Sequence, residues 1–230
     1  MKKSFTLAEV LITLGIIGVV AAMTLPTVIN NSRNKQLEAG LKRSYSVIAQ
    51  ALDQYQAETG ERITPENQKT HTLKPILMKY FNTVQDCKDG TSSTACIPNK
   101  AYVPEEDRAD VRAYKTYNGQ SEINMAHFDD GQFVLNDGTL VLIDNDGVNV
   151  WLYISVDVNG YNKNPNKLGH DLFMFQINDK GTLLPMGVKG SRLYSDTEEY
   201  CSSSASNALN GAGCTYKALT DKDYFKNLPK

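Results

Sequence analysis

The chain has 230 residues, a formal net charge of -2, and 41% hydrophobic against 22% charged residues. That mixture excludes global disorder, and the near-neutral charge offers no basic surface for nucleic acid. With an apolar N-terminal segment set aside, about 200 residues remain, enough for one domain with its own core.

The N-terminus reads MKKSFTLAEVLITLGIIGVVAAMTLP. Lys2 and Lys3 precede an apolar run from Phe5 to Leu25 that is broken by one charge, Glu9. The run matches the ~20 residues an α-helix needs to cross a hydrocarbon core. The two lysines place the N-terminus on the cytoplasmic side, so everything after Pro26 is expected to be exported. A carboxylate inside such a run is expensive and is usually retained for a function. Cleavage after Ser4 would create a positive partner for Glu9, the α-amino group of Phe5 on the same or a neighbouring chain. Two other readings compete. One is a plain membrane anchor that tolerates Glu9. The other is a secretory signal peptide cut near Val20-Ala21-Ala22, against which stand the early charge and a helical pattern that runs through the cut. Gly15 and Gly18 lower helix propensity and leave smooth patches for a neighbouring helix, and Pro26 is expected to kink the helix.

The short basic leader, the small Ser4 and the Phe5-Thr6-Leu7-x-Glu9 start ahead of an apolar helix resemble the N-terminus of type IV pilins and type II secretion pseudopilins. The resemblance implies a leader of residues 1–4 removed by a prepilin peptidase between Ser4 and Phe5, N-methylation of Phe5, and Glu9 as the register residue of assembly. It implies partners as well: other pilin or pseudopilin subunits and an inner-membrane assembly platform. The location implied is the bacterial inner membrane, single-pass, with the N-terminus cytoplasmic and the head exported, then a pilus or pseudopilus after assembly. In fibres of the family, the stretch corresponding to Gly18 through Pro26 can lose helical structure. Ser4 departs from the glycine usual in the family, so slower cleavage is expected.

From Pro26 the helical pattern continues to Thr59, with Leu37, Leu41, Ile48, Leu52 and Tyr55 on one stripe and Gly60 as the stop. Phe5 to Thr59 then makes a helix on the order of 80 Å. Residues 5–25 are its transmembrane and assembly part, 26–60 its amphipathic continuation, and 61–230 an exported head. Residues 61–125 read as a mixed connecting region. Within it, Thr72 to Phe81 forms a short helix capped by Thr72 with Pro75 in the first turn, and Glu105 to Arg112 is charged and solvated.

From His127 the period changes to two. Gln132 to Leu135 and Thr139 to Ile143 flank an Asp137-Gly138 turn. Val150 to Val156 and Leu172 to Ile177 follow, and a turn at Asn178 to Gly181 leads into Thr182 to Leu184. Four strands joined mainly by tight turns make an antiparallel meander. The fold class is therefore α+β, a long N-terminal helix packed on an antiparallel β-meander head, which is also the pilin architecture that the resemblance implies.

Four cysteines in an exported chain point to disulfides, and their spacing matches no zinc pattern. Sequence leaves three connectivities open. Cys87–Cys96 and Cys201–Cys214 are favoured because both intervals are rich in Gly, Ser or Asn and can bend. The Asp157 to Asp171 loop has an Asp157-x-Asn159 start and a closing Asp171, a donor set suited to Ca²⁺. Its spacing departs from the twelve-residue calcium loop, and Lys163 and Lys167 reduce its negative potential. The plain alternative is a turn stabilised by Asn and Asp side chains. Asp144 and Asp146 form a weaker version of the same pattern. Apart from Ca²⁺, no cofactor is expected.

His71, His127 and His170 stand in no metal or triad motif, and there is no nucleophile elbow, phosphate loop or redox cysteine pair. The expectation is a structural subunit of a type IV pilus or type II secretion pseudopilus rather than an enzyme. The alternatives are a non-assembling membrane-tethered binding module and a secreted protein with a conventional signal peptide.

Overall fold

The computed structural model describes residues 6–229, and the expected leader sites Ser4 and Phe5 lie outside them. The chain divides into two units, one ending at Gln36 and the other beginning at Leu37. Helix α1 (Leu7–Thr59) contributes to both.

In the first unit α1 opens with a capping box that the sequence analysis missed. Thr6 Oγ1 accepts the Glu9 backbone N–H at 3.3 Å, and Glu9 Oε2 accepts from Thr6 N and Thr6 Oγ1, each at 2.8 Å. Beyond it the helix is apolar all round, with a mean hydropathy of 2.2 over its most apolar 18 residues. Thr13 and Thr24 hide their hydroxyls by donating to carbonyls one turn back, those of Glu9 and Val20, at 2.9 Å each. The helix is thus long and apolar enough to cross a membrane, with the hydroxyls of Thr13 and Thr24 satisfied internally. A side chain at Gly15 or Gly18 would meet nothing within 4 Å. Pro26 lies inside α1, which remains helical on both sides of it. One missing N–H weakens a helix locally without ending it when the flanking turns are intact.

In the second unit the amphipathic half of α1 buries Leu37, Leu41, Ser44, Ile48, Ala51 and Leu52. Tyr55, assigned to the stripe from sequence, is half-buried, while Ser44 and Ala51 fill the missing helical spacings. Gly40 is the other necessary member, because a Cβ there would lie 3.0 Å from the Val158 side chain. The helix ends at Thr59, where Gly60 takes φ 78° and its N–H returns to Gln56 O at 2.9 Å.

A short helix α2 (Leu73–Leu77) follows, half as long as the sequence pattern indicated. Thr72 precedes it but does not cap it: its Oγ1 donates backward to Lys69 O at 2.7 Å. Asn145 supplies the acceptor instead, taking the Leu73 N–H on Oδ1 at 3.1 Å from 72 residues away.

Six strands follow in place of the four expected: β1 (Thr83–Asp86), β2 (Gly131–Leu135), β3 (Leu140–Asp144), β4 (Leu152–Asp157), β5 (Leu172–Ile177) and β6 (Leu183–Pro185). They form one antiparallel sheet in sequence order, a continuous meander. Two strands are additional: β6 takes up the Thr182 to Leu184 segment after the turn, and β1 lacks alternation because it is an edge whose residues are half-buried or exposed. Between β2 and β3, Gly138 N–H closes the Asp137-Gly138 turn on Leu135 O at 2.9 Å. Helix α3 (Cys214–Thr220) lies near the C-terminus.

Both faces of the sheet are buried. Phe133, Val141, Ile143, Ile154, Val156, Phe173 and Phe175 face the α1 stripe, and Tyr45 stacks on Phe175 with ring centroids 5.7 Å apart. Leu140, Leu142, Tyr153, Leu172 and Met174 face the other way, against Tyr114, Ile97, Phe128, Leu168 and Leu193 from the long loops. The connecting region at 61–125 therefore supplies an edge strand and much of the second core layer. Disulfides join Cys87 to Cys96 and Cys201 to Cys214. Loops of this length contribute roughly 2–3 kcal/mol each in the chain-entropy account. Gln132, fully buried, fastens the first of them: its amide accepts from Ile97 N at 2.9 Å and donates to Ile97 O at 2.6 Å.

Replacing Asn145 with alanine should destabilise the head by about 1–3 kcal/mol, since the buried Leu73 N–H loses its acceptor. Chemical denaturation of the full chain in detergent, with Asn136→Ala as the surface control, measures it. An equal, small effect in both variants would remove Asn145 from this role.

Candidate functional site

Three places in the described residues gather the polar groups singled out by sequence. The first is the start of α1. There Glu9 is held by Thr6, both of whose bonds fall on Oε2. These donors are neutral, so they orient the carboxylate without cancelling its charge.

The second is the loop between β4 and β5. Asp157 ends β4 and Asp171 immediately precedes β5, so antiparallel pairing of the two strands brings them together. Both are fully buried. Asp157 Oδ2 accepts from the Tyr114 hydroxyl at 2.7 Å, and Oδ1 accepts from Gly160 N at 2.9 Å and Asn159 N at 3.2 Å. Asp171 accepts from Asn166 N on one oxygen and Lys167 N on the other, each at 2.8 Å. Burial pushes the Asp157 carboxyl up to about 6, with the Tyr114 and backbone donors opposing. Burial and then the neighbouring Asp157 push Asp171 up to about 7.

Asn159 and Asn166 complete the loop. Their amide nitrogens donate to backbone carbonyls, Asn159 to Asn164 O at 3.1 Å and Asn166 to Tyr161 O at 3.3 Å. Their amide oxygens are buried without a donor. The loop holds two buried carboxylates and two unanswered amide oxygens, all oxygen donors, and Asp157 Oδ2 and both Asp171 oxygens each accept one of the bonds given above and keep a second lone pair. Oxygen donors without cysteine or histidine are the chemistry that hard cations prefer. Sequence reasoning identified Asp157, Asn159 and Asp171. It missed Asn166, because an orphaned amide oxygen has no signature in a sequence. His170 in the same loop is buried, with Nε2 2.9 Å from Tyr117 O and its ring edge-on to Tyr117.

The third place lies at the end of β3. Ligand oxygens of Asp130, Asp144 and Asp146 all fall within 4.8 Å of one another. Asp130 takes the Asn145 N–H at 2.6 Å and lies 3.1 Å from His71 Nε2, while Asp144 lies 3.1 Å from His127 Nδ1. Burial raises Asp130 to about 6 and raises Asp144 as well. The sequence pattern contained Asp144 and Asp146. Asp130 joins them through the β2–β3 pairing that sets Gly131 opposite Ile143.

No family model, curated protein or solved structure matches this chain.

Tyr114→Phe removes the hydroxyl that answers the buried Asp157, and the bond favours the ionised form. Its loss should destabilise the head by about 1–3 kcal/mol when Asp157 is charged. The effect should be full well above pH 6 and shrink as pH falls through about 6, where Asp157 takes up its proton. Urea unfolding of wild type and variant at pH 5 and pH 8 checks the sign. A loss larger at pH 5 would contradict the assignment.

Proposed function

We propose that this chain is a structural subunit of a type IV pilus or type II secretion pseudopilus. In this reading a prepilin peptidase cuts between Ser4 and Phe5, and Phe5 is N-methylated. The subunit waits in the bacterial inner membrane with its head exported, and is drawn into the fibre by an inner-membrane assembly platform. Its lateral partners are other subunits of the same kind. The observation that carries the reading is α1: a helix apolar enough to cross a membrane, with Glu9 the only charged side chain among described residues 6–32, whose later half becomes the core stripe of an antiparallel meander head.

Glu9 acts as the register group. In a bundle of apolar helices an uncancelled carboxylate favours the one stagger that brings a cation to it, and the new α-amino group at Phe5 is that cation. Gly15 and Gly18 offer smooth surface where a neighbouring helix can approach. The competing reading, a membrane-tethered module that never assembles, is favoured by one observation, that Thr6 already gives Glu9 a local capping role.

Glu9→Leu separates the two. Membrane insertion should persist or improve, while incorporation into fibres should fall to background. Wild-type subunits recovered from fibres should begin at Phe5 by peptide mass. Fractionation and pull-down of co-assembled subunits read the result, and normal incorporation of the variant would leave Glu9 without this role.

The same reading includes Ca²⁺ at the β4–β5 loop, held by Asp157, Asn159 and Asp171 with Asn166. With two carboxylates and Lys163 nearby, affinity belongs in the weak extracellular range, on the order of 10⁻⁴ M. Calcium at about ten times that level should stabilise the full chain in detergent by about 1.4 kcal/mol, raising its melting temperature relative to chelator. The gain should be greater at pH 8 than at pH 6, because Asp157 and Asp171, at about 6 and about 7, must ionise to bind. Asp157→Ala should abolish it. An unchanged wild-type melting temperature at pH 8 would return the loop to a hydrogen-bonded turn.

A further inference from the structure

The C-terminal loops build a trough that none of these roles uses. Leu193, Tyr194 and Tyr216 supply apolar surface, and Asp196, Glu198 and Lys217 supply charge, around a cavity of about 380 Å³. Its frame is stiff. The Cys201–Cys214 disulfide ties one wall to α3, and Tyr200 O accepts both Gly211 N at 2.8 Å and Gly213 N at 3.0 Å. On this frame the Tyr194 and Tyr216 side chains stay 37% and 42% exposed. The polar groups are already ordered, with Lys217 Nζ 3.3 Å from Glu198 and the Tyr194 hydroxyl donating to Asp196. Glu198 holds φ 55°, a conformation that costs an ordinary residue about 1–3 kcal/mol.

We propose that this trough binds a pyranose sugar. A pyranose has apolar C–H faces that lie against aromatic rings, and a rim of hydroxyls that both donate and accept. Exposed tyrosines answer the faces, carboxylates accept from the hydroxyls, and Lys217 and the Tyr216 hydroxyl donate. The mixture argues against other small ligands. Of the two carboxylates, Glu198 is already paired with Lys217 and Asp196 already accepts the Tyr194 hydroxyl, and a wholly apolar ligand would desolvate three charged groups without answering any of them. The volume lies in the range of small-molecule pockets, roughly 300–1,000 Å³.

The test uses the full chain in a zwitterionic detergent without a sugar headgroup. Methyl glucopyranoside, methyl galactopyranoside, methyl mannopyranoside and N-acetylglucosamine are screened by saturation-transfer NMR, and any binder is titrated. At least one should bind. Tyr194→Ala and Tyr216→Ala should each weaken it about tenfold, Tyr216→Phe should keep most of the affinity, and Glu198→Gln, at an exposed position, should weaken it without altering the melting temperature. Binding by none of the four sugars overturns the proposal. So does binding that survives the Tyr194→Ala/Tyr216→Ala double variant with its melting temperature intact, or equal competition by tetramethylammonium.

Discussion

Strands β3, β4 and β5 are buried at every position because the sheet is covered on both faces, by the helix stripe on one side and by disulfide-tied loops on the other. An antiparallel meander with a single cover leaves one face wet and alternates apolar with polar residues. Here Leu140-Val141-Leu142-Ile143 has no polar member, so removing either cover exposes a row of large side chains. The cover on the second face has little regular structure of its own. It is held by specific bonds, such as the Gln132 amide clasping Ile97 and the Cys87–Cys96 link. The same cover brings Tyr114 to Asp157. A buried charged loop is thus a consequence of how the second core layer is built.

What was legible in the sequence is what local chemistry decides. Gly60 ends α1 because a left-handed residue is needed there. Asp137-Gly138 turns β2 into β3, and Leu172 to Ile177 is the β5 segment itself. Features decided by distant partners were not legible. Thr72 has the chemistry of a cap, yet its hydroxyl finds Lys69 and the helix takes its acceptor from Asn145. Strand β1 is defined by pairing with β2, since its own burial pattern is that of an edge. In the β4–β5 loop the carboxylates were visible by type and spacing. The unanswered oxygen of Asn166 became visible only once every donor around it was accounted for.

The two carboxylate groups of the head differ in how their charge is met, which is why the proposed calcium is assigned to the β4–β5 loop. Asp130 and Asp144 each have a histidine nitrogen at 3.1 Å. The groups that donate directly to Asp157 and Asp171 are a phenol and backbone N–H groups, all neutral, and the Lys163 charge adds a smaller pull on Asp157. Neutral donors lower the energy of a buried carboxylate but leave its field in place, so two such groups side by side raise one another. In the proposed site a divalent ion would relieve that repulsion. At the β3 end it would compete with histidines already in position.

The same distinction between orienting a charge and cancelling it applies to Glu9. Thr6 satisfies its hydrogen-bonding geometry through a capping box, and such a box stabilises any helix start, in water or at a membrane surface. In hydrocarbon the remaining field is expensive whatever neutral donors surround it. In the proposed assembly the cap would serve the pairing, although by itself it also suits a helix that never assembles. The cap fixes where the carboxylate points along α1, and a fixed carboxylate selects a single stagger better than a mobile one, because fewer positions of a neighbouring amino group satisfy it.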